Sequence, residues 1–164
     1  MLTGGLIDPL VSTNLLKEEL LNFDISKGFI IDGYPRALNQ LEYFNRLTTE
    51  LNLSEPIIIH LNLSIKEARK RLGNRVECSV TNTTFNKYSE ESEKACEAAG
   101  GTLNKREDDN EEILTNRFEI YQTKTLPVLD YYRKETIVID VFGEQPTNNV
   151  FNDIITKLKE NGYD

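Results

Sequence analysis

The chain predicts an α/β fold, and three observations predict it. Short apolar runs at 29–32, 57–63 and 136–140 read as strands, amphipathic stretches at helical spacing separate them, and the order strand, helix, strand, helix calls for a parallel sheet with crossover helices. Continuous apolar runs of this length fit strands buried on both faces, as in a parallel sheet.

The elements follow in order. Asp8-Pro9 opens a helix, with Asp8 as its cap and Pro9 at the first helical position, and Leu10, Val11, Leu15, Leu16 and Leu20 supply its apolar face. Lys27-Gly28 leads into the first strand. Leu41, Phe44, Leu47 and Leu51 stand at helical spacing from about Asn39, until Glu55-Pro56 breaks the pattern before the second strand. Ser64 and Glu67 form a capping box, each able to satisfy a free amide of the other at a helix start. From 73 to 109 the periodicity disappears, over a stretch too long for an ordinary connection, so an inserted lid or a disordered loop is expected there. Ile113, Leu114, Phe118 and Tyr121 restore helical spacing, which continues through Leu126, Leu129 and Tyr132, with Pro127 predicting a kink. After the third strand Thr147 opens a last helix, whose Val150, Phe151, Ile154, Ile155 and Leu158 are expected to cover the sheet. The core domain is thus expected at 1–72 and 110–164, with 73–109 inserted.

Composition narrows the function classes. A chain of 164 residues is one domain by length and can bury about 70% of its unfolded surface. The net charge of -8 argues against nucleic acid as a partner, so any bound anion must meet a local cluster of arginines. No apolar run approaches the roughly 18 residues of a membrane span, and no signal-peptide pattern opens the chain. Cys78 and Cys96 could pair, but nothing else suggests secretion, so a reducing cytoplasm is the expected setting.

The chemistry is carried by charged residues at element ends. Gly28-Phe29-Ile30-Ile31-Asp32-Gly33-Tyr34-Pro35-Arg36 delivers an acid and an arginine at the carboxyl end of the first expected strand, where open α/β sheets bind ligands, and Gln40 follows four residues later. At the end of a buried strand, Asp32 would be a costly charge unless metal, water or arginine met it. Arg71 and Arg75 are four apart; an anion between them would relieve their repulsion, whereas a helix end at Gly73-Asn74 would keep them off a common face. Arg106-Glu107-Asp108-Asp109 precedes Arg117 by eleven residues, counted from Arg106, and Asp109 or Asn110 could cap the helix between them. His60, the sole histidine, is expected to be a core or edge residue of its strand.

These runs closely resemble the signatures of adenylate kinases and related nucleoside monophosphate kinases: the Asp-Gly-aromatic-Pro-Arg turn with Gln40 after it, Arg71-x-x-x-Arg75, and Arg106-x-Asp-Asp with Arg117. The resemblance implies a P-loop-kinase-like parallel sheet with flanking helices and an inserted lid at 73–109. It implies reversible phosphoryl transfer from Mg-ATP to AMP, giving ADP, by positioning and by stabilising charge on the transferring oxygens. By the same resemblance Asp32 holds the water shell of Mg2+, Arg36 grips the acceptor phosphate, and Gln40 reads the acceptor adenine beside Leu6, Ile7 and Gly33. Arg71 and Arg75 contact nucleotide phosphates, Arg106 and Arg117 grip the transferring group, and Gln145, in 143–146, lies at the donor base. Zinc-bearing lids of this family place four ligands in two pairs; Thr81 and Ala99 stand where Cys78 and Cys96 would need partners, so no structural zinc is expected.

One feature departs from the family. No strand running into a Gly-rich loop and lysine occurs, and Gly4-Gly5 lacks the spacing, the lysine and the preceding strand. Aligned on the turn, 1–22 corresponds to a remnant of the acceptor-binding region, with Thr3 to Val11 following its arm. The 164 residues are therefore expected to represent about the last three quarters of such an enzyme, without its first, central strand. Apolar edges left open invite aggregation, so marginal stability is expected, with a monomer if those edges are covered. Little or no turnover is expected of the bare chain. A noncatalytic AMP-binding remnant and a subunit complemented by another chain are the alternatives.

Overall fold

The computed structural model describes residues 5–86, 89–106 and 109–163. Thr3, Gly4, Glu107 and Asp108, which entered the sequence reading, lie outside the described residues. The fold is mixed α/β, a parallel sheet flanked by helices. Helix α1 (Pro9–Asn22) starts as expected: the Asp8 carboxylate accepts from the amides of Leu10 (2.9 Å) and Val11 (3.1 Å), satisfying two of the free N–H groups of a helix start. Its packing differs from the expected apolar face. Leu20 and Thr13 are buried while Leu10, Val11 and Leu15 are exposed, because α1 packs on the helix at Leu38–Glu50 and the Thr13 hydroxyl meets that of Tyr34 at 2.6 Å.

Residues 29–32 do not form a strand. Phe29 is 43% exposed and Ile30 95% exposed, and among the described residues no neighbouring strand pairs with this segment. An apolar run becomes a strand only where a ladder takes up its amides and carbonyls. Asp32, expected at the end of a buried strand, is accordingly exposed.

Helix α2 (Leu38–Glu50) buries Gln40, Leu41, Phe44 and Leu47 on one face. Strand β1 (Ile58–Asn62) pairs in parallel with β5 (Val138–Phe142), two residues beyond the start read from the sequence, with Ile58 opposite Val138 and His60 opposite Asp140. Leu41, Val128 and Tyr132 form a core against which Ile58 and Val138 pack; Ile139 and Val141 are buried from the alternate face of β5. On β1, Ile59 and Leu61 stay partly exposed. The last helix, α7 (Thr147–Glu160), packs on β5 but leaves Phe151 and Ile155 exposed, so it covers the sheet less fully than its apolar pattern predicts.

Helix α3 (Ile65–Gly73) has half of the expected capping box. Ser64 Oγ accepts from the Glu67 amide at 3.2 Å, but the Ser64 amide donates to Glu144, at 2.5 Å, and not to Glu67. That bond holds the Glu144 carboxyl below its ordinary range. Glu67 turns instead to Arg71, whose hydrogen bond lowers its carboxyl too.

The described residues of the aperiodic stretch form regular elements. Strands β2 (Arg75–Cys78), β3 (Thr84–Asn86) and β4 (Leu103–Lys105) form an antiparallel sheet in the order β3-β2-β4, and α4 (Glu90–Ala98) starts at Ser89, whose hydroxyl accepts from the Ser92 amide. Cys78 and Cys96 form a disulfide with Cα atoms 5.7 Å apart. The pairing that the sequence left open is thus made.

Helix α5 (Glu111–Ile120) is capped by Asn110, whose side chain accepts from the Ile113 amide at 3.0 Å. It runs through a π turn (Tyr121–Thr125) into α6 (Leu126–Glu135), the Leu126 amide reaching back to the Tyr121 carbonyl. Pro127 accounts for the irregularity, since it has no amide for the carbonyl four residues earlier and its ring crowds that turn. Where the sequence predicts a kink, the helix takes a π turn. No helix among the described residues is long and apolar enough to cross a membrane.

Candidate functional site

The turn after 29–32 is built from short-range bonds. Gly33 has φ 69°, in the left-handed region that favours glycine, and a Cβ placed there would stand 2.2 Å from the Arg36 guanidinium, which would have to move aside. Arg36 Nε donates to the Gly33 carbonyl at 2.6 Å, folding the side chain over the glycine. Tyr34, joined to Pro35 by a cis bond, packs edge-on against Phe44 at 5.8 Å.

Gln40 links this turn to the amino-terminal segment. It is 4% exposed; its Oε1 accepts from the Arg36 amide at 2.8 Å, and its Nε2 donates to the Ile7 carbonyl at 3.2 Å. One side chain thus joins three of the sequence-predicted positions, Ile7, Arg36 and Gln40, with Gly33 attached through Arg36. Leu6 is the neighbour of Ile7 and is half-buried. Substituting Gln40 with alanine removes a buried side chain and leaves the Arg36 amide and the Ile7 carbonyl, both partly reached by water, without it, and should lower the unfolding free energy by about 1 kcal/mol. A urea melt followed by circular dichroism measures it, and an unchanged midpoint would refute the linking role.

A second constellation surrounds Asp109, whose side chain is fully buried. Arg75 donates to both carboxylate oxygens, from Nε at 2.8 Å and from Nη2 at 2.5 Å, and Arg117 Nη1 lies 3.9 Å from Oδ1. This forked geometry is the strong form of an arginine–carboxylate pair. Arg106 faces Glu77, with Nη1 3.7 Å from Oε1. Sequence reading took Asp109 for a possible helix cap; the cap is Asn110, and Asp109 is the hub of the arginines.

Arg71 and Arg75 do not share a helix face. Helix α3 ends at Gly73, so Arg75 opens β2 and turns to Asp109, while Arg71 holds Glu67 at 2.9 Å and reaches the Gly143 carbonyl at 2.8 Å. Arg71 therefore touches the loop that carries Gln145. Gln145 itself donates to Asp153 of α7 at 2.6 Å. Among the described residues no group of three or more His, Cys, Asp or Glu is placed to hold a metal ion.

The structure also assembles a polar chain that sequence reasoning missed. His60 Nδ1 lies 2.6 Å from Asp140 Oδ1, His60 Nε2 lies 3.0 Å from the Tyr121 hydroxyl, and Arg133 donates to both Asp140 oxygens at 3.2 and 3.3 Å. A carboxylate accepts, so the neutral imidazole carries its proton on Nδ1 and receives the Tyr121 O–H at Nε2. The His60 hydrogen bond, with Arg133 beside it, holds the Asp140 carboxyl below its ordinary range, whereas burial pushes the Tyr121 hydroxyl up. Because the folded state favours ionised Asp140, its contribution to stability is full above the ordinary carboxylate range and is lost as pH falls through the lowered value. Thermal midpoints from pH 7 to pH 3 should show the native chain ahead of Asp140→Asn at neutral pH, with the gap closing at the acid end. A constant gap would contradict this.

Comparison with known proteins places the chain beside one group. The family model described as adenylate kinase matches residues 1–137. An adenylate kinase of Thermodesulfovibrio yellowstonii is 34% identical over 159 residues, covering 96% of this chain and 74% of the relative. Those of Lactobacillus delbrueckii subsp. bulgaricus and Archaeoglobus fulgidus are each 35% identical, covering 92% and 96% of this chain and 71% and 73% of the relatives. The chain thus spans about three quarters of the length of the relatives it matches.

Proposed function

The chain belongs to the adenylate kinase family, nucleoside monophosphate kinases that transfer phosphoryl groups, and on that premise we propose that it carries the acceptor side of a site for ATP + AMP = 2 ADP. The observation that carries this reading is the Gln40 bridge between Ile7 and Arg36. It gathers, beside an exposed arginine, the positions at which the family resemblance puts the AMP base and phosphate. AMP would lie with its base toward Leu6, Ile7 and Gln40 and its phosphate toward Arg36. A phosphate oxygen of AMP attacks the terminal phosphorus of ATP as the bond to the departing ADP oxygen breaks.

Four arginines would serve the polyphosphate. Arg71, Arg75, Arg106 and Arg117 each face a protein carboxylate, on Glu67, Asp109, Glu77 and Asp109 respectively. Phosphate oxygens would replace or share these partners, stabilising charge as it spreads over the transferring group. In this reading 73–109 is the lid that brings Arg75 and Arg106 to the nucleotide, and Arg71 with the Gly143 loop and Gln145 borders the ATP base. The exposed Asp32 fits Mg2+ held through water, since this ion keeps several waters and needs few protein carboxylates; when bound with ATP it neutralises phosphate charge. The Cys78–Cys96 disulfide leaves neither sulfur as a zinc ligand.

These 164 residues contain no Gly-rich phosphate loop with its lysine, so the donor clamp is not among them. Calorimetry should find AMP binding and much weaker ATP binding, and a coupled assay with ATP, AMP and Mg2+ should find little turnover. Absence of AMP binding would sink the acceptor-site reading, and robust turnover would sink the expected lack of a donor clamp. A second reading, in which another polypeptide completes the sheet, is favoured by the free edge of β1, where Ile59 and Leu61 stay partly exposed beside no strand among the described residues. Turnover restored by an added amino-terminal fragment of a relative would support it.

A further inference from the structure

We propose that the hydrogen bond between Tyr121 and His60 is a positioning contact, through which the sheet sets the rotation of α5 and so the aim of Arg117. The inference rests on the phosphoryl-transfer reading for the purpose of that aim, and on geometry for the contact itself.

Three observations carry it. Tyr121 stands one helical turn beyond Arg117, its amide bonding the Arg117 carbonyl, so the two side chains leave the same face of the helix. The π turn begins at Tyr121 itself and interrupts the regular ladder between α5 and α6. Helix α6, packed through Val128, Leu129 and Tyr132, is joined to α5 through that wider turn, whose Leu126 amide bonds the Tyr121 carbonyl. A tie to the sheet at the same point fixes this end of α5 further, and His60 is such a tie. It sits in the middle of β1, with its ring held at 2.6 Å by Asp140, its register partner on β5, which Arg133 of α6 holds in turn. The chain from Arg133 through Asp140 and His60 to Tyr121 thus spans the π turn from side chain to side chain. At its other end α5 begins beside Asp109, where Arg75 and Arg117 meet. Tyr121 and His60 touch neither group assigned to the nucleotides; they act through the helix that carries Arg117.

The full chain suits a direct test by nuclear magnetic resonance. The Nε–H signal of Arg117, identified by its loss in Arg117→Lys, should move in Tyr121→Phe, and the α5 amides should exchange about five- to tenfold faster, the loss expected for one net hydrogen bond. His60→Gln and His60→Asn then separate positioning from packing. Glutamine places its terminal amide at the depth of Nε2 and can still meet Tyr121, whereas asparagine reaches only the depth of Nδ1 and can meet only Asp140. His60→Gln should therefore restore the native Arg117 signal, and His60→Asn should resemble Tyr121→Phe. An unmoved signal in Tyr121→Phe, or equal behaviour of the two His60 variants, overturns the proposal. AMP titration of the same samples keeps the readings apart. Failure of the unsubstituted chain to bind AMP defeats the functional reading alone, because the Arg117 spectrum still decides the positioning contact.

Discussion

Asp109→Ala should lower the unfolding free energy by about 3 kcal/mol, the low end of what breaking a buried ion pair costs. The carboxylate is fully buried and receives a two-pronged bond from Arg75, with Arg117 at 3.9 Å; its removal leaves the Arg75 guanidinium uncompensated. The Arg75 side chain keeps 25% exposure, so water can solvate part of the orphaned charge, which is why the larger values for such losses are not expected. Asp109→Asn keeps the shape and one acceptor oxygen but loses the charge, and should fall between the two. Urea melts followed by circular dichroism provide the measurement. A change under 1 kcal/mol in Asp109→Ala would mean that the arginines find other partners and that Asp109 is no hub.

The second large effect is local. Replacing Cys78 and Cys96 together by serine should destabilise the β2-β3-β4 sheet and α4 by about 3 kcal/mol, as expected for a cross-link closing a loop of this size. The two cysteines are 18 residues apart and both are buried, and the disulfide joins β2 directly to α4. Gly101 packs on the bond so closely that a Cβ there would stand 2.7 Å from one sulfur and 2.9 Å from the other. Hydrogen exchange should quicken by about a hundredfold in 75–105 while β1 and β5 keep their protection. Equal acceleration throughout would show that this segment and the parallel sheet unfold as one unit.

What the sequence made legible divides along physical lines. Helix starts were readable because caps are local: Asp8 and Ser64 do what their positions predict. The partner of the Ser64 amide was not, because Glu144 is 80 residues away. Phe29, Ile30 and Ile31 have the composition of a strand, but a strand is a relation between two segments, and composition reports only one of them. The short strands β2, β3 and β4 escaped because three or four residues are too few to display a period. At the site, Gly33, Arg36 and Gln40 were legible as a compact turn motif, and the structure adds the Ile7 carbonyl that Gln40 holds. His60 was read as a core or edge residue because Asp140 and Tyr121, 80 and 61 residues away, leave no trace in local spacing.

The π turn at Tyr121–Thr125 has one further consequence. An i to i+5 turn holds one more residue than an α-helical turn, and each residue of an α-helix advances the azimuth by about 100°. The wide turn therefore absorbs one residue without rotating one helix on the other. Deleting one residue between Tyr121 and Thr125 would turn it into an ordinary α-helical turn and leave the faces of α5 and α6 in nearly the same relation, so that Arg117 would keep its direction.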